Sequence, residues 1–192
     1  SLTWEGPEEG LNAFVLHAKK LAETPELTKW IKGGPRKWKQ NLETEGTVGK
    51  PKKGEPYALD SITPPFENPW NAILHFGGHD FFSSGDLAIC TMEGDVFLVG
   101  NIDEKLEKTT WQRIATGLYH PLGLRIVDDK IYVLGRDQIS RLHDLNGDGE
   151  IDFYENFNND AEISLNGHEF STCLETDPEG NFYYIRCASG TR

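Results

Sequence analysis

The chain has 192 residues, 37% of them hydrophobic, and a net charge of -12 from 31 acidic against 19 basic side chains. That balance argues against nucleic acid and anionic membranes as partners, because both are bound through clustered Lys and Arg. No apolar run approaches the ~20 residues of a spanning helix, and the length suits one globular domain with an appendage.

Residues 1–33 read as a helical N-terminal segment. Leu11, Phe14, Val15, Ala18 and Leu21 recur at helical spacing, with Glu8 and Glu9 in the first turn and Lys19 and Lys20 later, an order that suits the helix dipole. Pro25 interrupts, and Leu27, Trp30 and Ile31 predict a short second helix ending at Gly33-Gly34. Residues 34–70 are rich in Pro, Gly and Lys without a sustained period. They nonetheless carry Trp38, Tyr57, Phe66 and Trp70, which predicts a connector anchored over a neighbouring domain and not a free linker.

From residue 71 to 192 the chain repeats. Leu87 to Thr91 and Asp95 to Val99 form one hairpin about Glu93-Gly94; Ile131 to Leu134 and Gln138 to Leu142 form a second; Phe182 to Ile185 begins a third. Each is preceded by a polar turn and an earlier strand, at Asp80 to Phe82, Leu122 to Val127 and Phe170 to Thr176. The equivalent positions Leu87, Ile131 and Phe182 lie 44 and 51 residues apart. Antiparallel units at that period predict β-propeller blades, with an irregular β-sandwich as the alternative. Propellers close with about four blades or more, so two blades and the start of a third imply that the remainder of the protein, or another chain, completes the ring.

Three cysteines allow at most one internal disulfide. A tight hairpin at Asp177-Pro178-Glu179-Gly180 sets Cys173 opposite Tyr184 and Cys187 opposite Phe170, out of register with each other, so buried free thiols are expected. The first residue is Ser and no signal peptide is visible, which suggests a mature or trimmed chain.

The most specific motif runs from Asp144 to Glu155. Asp144, Asn146, Asp148, Asp152 and Glu155 place oxygen ligands at positions 1, 3, 5, 9 and 12 of a calcium loop; Gly149 supplies the turn at position 6 and Glu150 offers its carbonyl at position 7. An Asp/Asn/Gly turn without an ion is the alternative. The flanks, Ile131 to Leu142 before and Phe153 to Phe157 after, read as strands. The loop is therefore expected to be a strand-loop-strand clip, with structural calcium in an extracytoplasmic (periplasmic or secreted) setting.

Asn68-Pro69-Trp70, Gly77-Gly78-His79-Asp80-Phe81, Cys90 to Val96, Pro121 to Leu124, Gly135 to Ile139, Arg141 to Asp144, His168-Glu169-Phe170 and Asp177 to Tyr183 resemble a family of large secreted proteins of planctomycetes and related bacteria. Those proteins are described as membrane-bound dehydrogenases or haem-binding proteins. The resemblance covers residues 34–192 and implies a six-bladed propeller, similar to soluble pyrroloquinoline-quinone (PQQ) sugar dehydrogenases, joined to a cytochrome c domain. It implies oxidation of a sugar-like substrate, with PQQ or haem c as cofactor. This chain has no Cys-x-x-Cys-His, so any haem belongs to a missing portion or a cytochrome c partner.

Such chemistry needs a base to take the hydroxyl proton as hydride leaves carbon, and cationic groups on the quinone. His79, His120 and His168 fall in or just before the first strand of each repeat, which lines the channel of a propeller, and are the candidate bases; each is alternatively a structural residue between blades. Arg136 and Arg186 are candidate cofactor ligands, with rim salt bridges as the alternative. His143 is expected to support the calcium loop. A calcium-stapled propeller without catalysis, binding glycan or protein, and a purely structural subunit fragment remain competing readings, since a propeller fold does not by itself fix function.

Overall fold

A computed structural model describes residues 5–21, 26–160, 163–164 and 167–187, and divides the chain into two compact units, Ser1–Gly34 and Pro35–Arg192. In the first, α1 (Glu8–Leu21) carries its acidic residues in the first turn and its basic residues in the last. A 3-10 turn follows at Leu27–Trp30. The helical stripe Leu11, Phe14 and Val15 is exposed. No helix among the described residues is long and apolar enough to cross a membrane.

The second unit is mainly β, with antiparallel sheets. β1 (Asn41–Thr44), β2 (Phe76–Phe81), β3 (Leu87–Thr91), β4 (Val96–Gly100) and β5 (Thr109–Ala115) make a sheet of order β1-β5-β4-β3-β2. β6 (Gly123–Val127), β7 (Lys130–Leu134), β8 (Ile139–His143) and β9 (Phe153–Asn158) make a second in sequence order. β10 (Phe170–Thr176) and β11 (Phe182–Cys187) pair as a third. Each predicted hairpin is thus the centre of a meander or the start of one. β1 and β5 were not expected: the first lies inside the connector, the second closes the first meander.

One edge strand of each sheet packs beside that of the next, β2 on β6 and β6 on β10. Glycine permits this. A Cβ on Gly77 would strike the carbonyl of Pro121, and one on Gly78 the amide of Leu124; a Cβ on Gly123 would meet Leu174 of β10 at 2.8 Å. Polar contacts fix the same seam, since the amide of Ile126 donates to Asp80 at 2.9 Å and Arg125 bridges Asp80 and Glu175.

Alternating side chains of the sheets supply the core between them, as the two-residue period of strands requires. Ala88, Cys90, Val96 and Ile114 meet Leu124, Ile131, Val133 and Leu142 between the first two sheets. Tyr132, Leu134 and Ile139 meet Leu174, Phe182 and Tyr184 between the second and third. The opposite face of the first sheet, with Phe97, Val99 and Trp111 buried, is covered by the connector through Ile62 and Trp70 and by Ala72 and Leu74, which follow it before β2. Trp70 lies 5.9 Å from Phe97, centroid to centroid. The anchoring aromatics therefore divide: Trp70 packs, while Tyr57 and Phe66 are exposed.

The cysteines depart from expectation. Phe170 does face Cys187, but the strands slip between Thr172 and Glu175, so Cys173 is bulged with φ 61° and pairs with nothing in the ladder. Cys173 and Cys187 are exposed free thiols; Cys90 alone is buried.

Candidate functional site: the 144–152 loop and the first-strand cluster

The nine residues from Asp144 to Asp152 join β8 to β9, closed at the base by the Asp152 amide donating to the His143 carbonyl at 2.9 Å. The backbone winds round one carboxylate. Asp144 Oδ1 accepts from the amides of Gly147 (2.7 Å) and Asp148 (3.3 Å), and its Oδ2 accepts from Gly149 (2.7 Å). Gly147 and Gly149 have φ 75° and 85°, left-handed values that glycine adopts without a Cβ penalty. Asp148 accepts from the Glu150 amide at 3.0 Å and Asp152 from the Leu145 amide at 3.0 Å. Donors of the right chemistry thus share one tight loop. The carboxylates of Asp144, Asp148 and Asp152 are held by loop amides, however, and among the described residues no three His, Cys, Asp or Glu side chains gather as a metal-holding group.

Glu155 does not belong to the loop. It sits in β9 opposite Arg141, and its carboxylate contacts His143 Nε2 at 2.6 Å and Arg141 at 3.7 Å. Three residues past Asp152 along a strand is about 10 Å, whereas three along an exiting helix is about 4.5 Å. A strand exit therefore sets Glu155 farther along from Asp152 than a helix exit would. His143 is joined to Glu155 and does not reach into the loop through any of these bonds.

The rear of the loop is fastened to its neighbours by three successive residues. Gly149 accepts from Gln112 Nε2 at 2.5 Å, the Ile151 amide donates to the Ile114 carbonyl at 2.9 Å, and Glu150, 6% exposed, turns its carboxylate to the amides of Lys37 (2.7 Å) and Trp38 (3.0 Å). The motif assigns Glu150 a carbonyl role only; its side chain is a second function that spacing does not reveal. Beside the loop a cleft of about 370 Å³ opens between the first two sheets, walled by Phe82, Leu98 and Ile114 against Ile131, Leu142 and Ile151.

The five candidate redox residues do not converge as one set. His120 precedes β6 at φ 45°, half-buried, with its ring 4.8 Å from Tyr119 and 6.1 Å from Phe170 and its Nδ1 buried without a hydrogen-bond partner among the described residues. Arg136 is buried nearby, its guanidinium 5.6 Å from the Tyr119 ring, 5.8 Å from Phe170, and 3.2 Å from the Tyr119 hydroxyl. These two residues share aromatic neighbours. His79 is exposed on β2 opposite Ile89 and takes no part in these ring contacts, and His168 is exposed in a turn. Arg186 donates to the buried Glu169 at 2.5 Å; the Ser164 hydroxyl and Arg186 hold that carboxyl below its ordinary range. The salt-bridge alternative is what the geometry gives Arg186.

One buried polar group escaped notice in the sequence altogether. Asp95, 4% exposed, accepts from Arg113 Nε (3.1 Å) and Nη2 (2.5 Å) and from the Thr116 hydroxyl (2.6 Å), while the Arg113 guanidinium lies 5.0 Å from the Trp38 ring. No family model, curated protein or solved structure matches the chain.

Proposed function

We propose that residues 35–192 are a run of propeller-type blades stapled by calcium on the 144–152 loop. The observation that carries this is the loop backbone already wound round Asp144, with three amides on its carboxylate and two glycines in left-handed geometry. Calcium would take the side-chain oxygens of Asp144, Asn146, Asp148 and Asp152 and the Glu150 carbonyl, with water completing six to eight oxygens. The loop carboxylates must then turn from the amides they now hold. Calorimetric titration with calcium should show saturable binding. At 1 mM calcium and a Kd of about 10 μM, the folded state gains about 2.7 kcal/mol. Identical melting in calcium and in chelator would overturn the staple.

The blade reading draws on the abutting edge strands and the repeated meander. β11 pairs only with β10 among the described residues, and Tyr183 and Ile185 on its outer side are more than half exposed. Further sheets, from the remainder of a six-bladed ring or from another chain, are what we propose to cover them.

His120 favours a second reading, an extracytoplasmic oxidoreductase acting on a sugar-like substrate. A non-glycine residue at φ 45° with an orphaned ring nitrogen stores strain of the kind found at working sites. On this reading His120, ahead of His79 and His168, takes the hydroxyl proton, Arg136 contacts PQQ, and electrons pass to a cytochrome c partner. Dye reduction by whole protein reconstituted with PQQ should be lost in His120→Gln and kept in His79→Gln. Equal activity in both variants would remove His120 from the role.

A further inference from the structure

We infer that calcium on the 144–152 loop regulates how firmly the connector is strapped to that loop, with Glu150 as the link. The inference rests on the calcium reading and goes beyond it, because it concerns a segment more than 100 residues away in sequence. Glu150 does two jobs on opposite sides of the loop. Its carbonyl is the main-chain ligand position, and its carboxylate, buried from water, accepts from the amides of Lys37 and Trp38. An ion that seizes the carbonyl fixes the backbone of residue 150 and so aims the side chain. Residues 149 and 151 are clamped to Gln112 and Ile114 of β5, so the chain is held on both sides of Glu150.

The strap itself has consequences downstream. Trp38 lies against Arg113, and Arg113 holds Asp95 in the first sheet. Releasing residues 37 and 38 therefore loosens the ring stacked on a buried ion pair, and β1 begins three residues later at Asn41. Binding couplings are reciprocal: if calcium tightens the strap, removing the strap must weaken calcium by the same factor.

The test is hydrogen exchange, read by mass spectrometry on the full chain, at the Lys37 and Trp38 amides in 1 mM calcium and in chelator, with calorimetric calcium titration alongside. Exchange at both amides should slow at least tenfold in calcium while β10 amides change little. Lys37→Pro removes one donor of the strap and touches no calcium ligand, and it should weaken calcium binding by three- to tenfold. Saturable calcium binding with unchanged exchange at residues 37 and 38 would overturn the coupling and leave the staple standing. Absence of calcium binding in the unsubstituted chain would overturn the staple, and this inference with it.

Discussion

Asp95→Ala tests the buried network in the first sheet. The Asp95 side chain is 5% exposed and that of Arg113 15%, so the pair sits in an environment that screens poorly. Removing the carboxylate leaves the guanidinium without its negative partner and the Thr116 hydroxyl without its acceptor, with the Nη2 donation to Thr116 at 2.9 Å left between them. Breaking a buried ion pair from one side costs about 3–5 kcal/mol. Trp38 still covers one face of Arg113, so the lower end, about 3 kcal/mol, is expected. For a unit of this size that lowers Tm by roughly 6–12 °C. Replacing both partners, Asp95→Leu with Arg113→Met, should recover most of the loss, because two apolar groups leave no charge unpaired. Urea unfolding followed by tryptophan fluorescence and by circular dichroism supplies both free energies. The reasoning fails if Asp95→Ala costs under 1 kcal/mol, or if the double variant is no more stable than the single one.

Asp144→Asn should weaken calcium binding at least a hundredfold, whereas Glu155→Gln should change it less than about twofold; titration calorimetry separates them, and a large loss in Glu155→Gln would return that residue to the loop. Gly78→Ala puts a methyl into the main chain of β6 and should cost about 3 kcal/mol by the overpacking rule, measured by thermal melts. Burial pushes the Cys90 thiol up from 9.0 to about 11. The folded state thus prefers the neutral thiol, and the stability this contributes below pH 9 is lost between pH 9 and 11, a loss that should vanish in Cys90→Ala. At pH 8 iodoacetamide should modify Cys173 and Cys187 while sparing Cys90 until urea unfolds the sheet, as peptide mapping will show.

The meanders were legible because their central strands are short apolar runs bounded by Gly and Asp turns, a local signal. β5 was not. It buries residues on both faces, Trp111 on the side covered by the segment before β2 and Ile114 against the second sheet, so no one-sided apolar alternation marks it, and Arg113 places a charge on the face of Trp111 and Phe97. That charge makes sense only beside Asp95, which lies eighteen residues earlier and reads locally as the end of a polar turn. Cys173 was set opposite Tyr184 because hairpin counting assumes no bulge. Glu155 shows a different limit of spacing. Spacing gives Glu155 position 12 of the motif, but its partners in β9, His143 and Arg141, are set by the strand pairing, which the spacing does not disclose. For the candidate bases, the period placed His79, His120 and His168 near the first strands, but which way each ring turns depends on packing that one repeat cannot disclose.

The connector that precedes β2 also bears on the order of synthesis. Ile62, Trp70 and Leu74 seal the outer face of the first sheet, and they leave the ribosome before β2 to β5 do. N-terminal units generally fold as they emerge. The first sheet therefore carries its own cover into the world and need not wait for a later sheet to hide Phe97 and Trp111. Once it has formed, the face that still waits for a partner is the one with Ala88, Cys90 and Ile114, which the second sheet covers next in chain order.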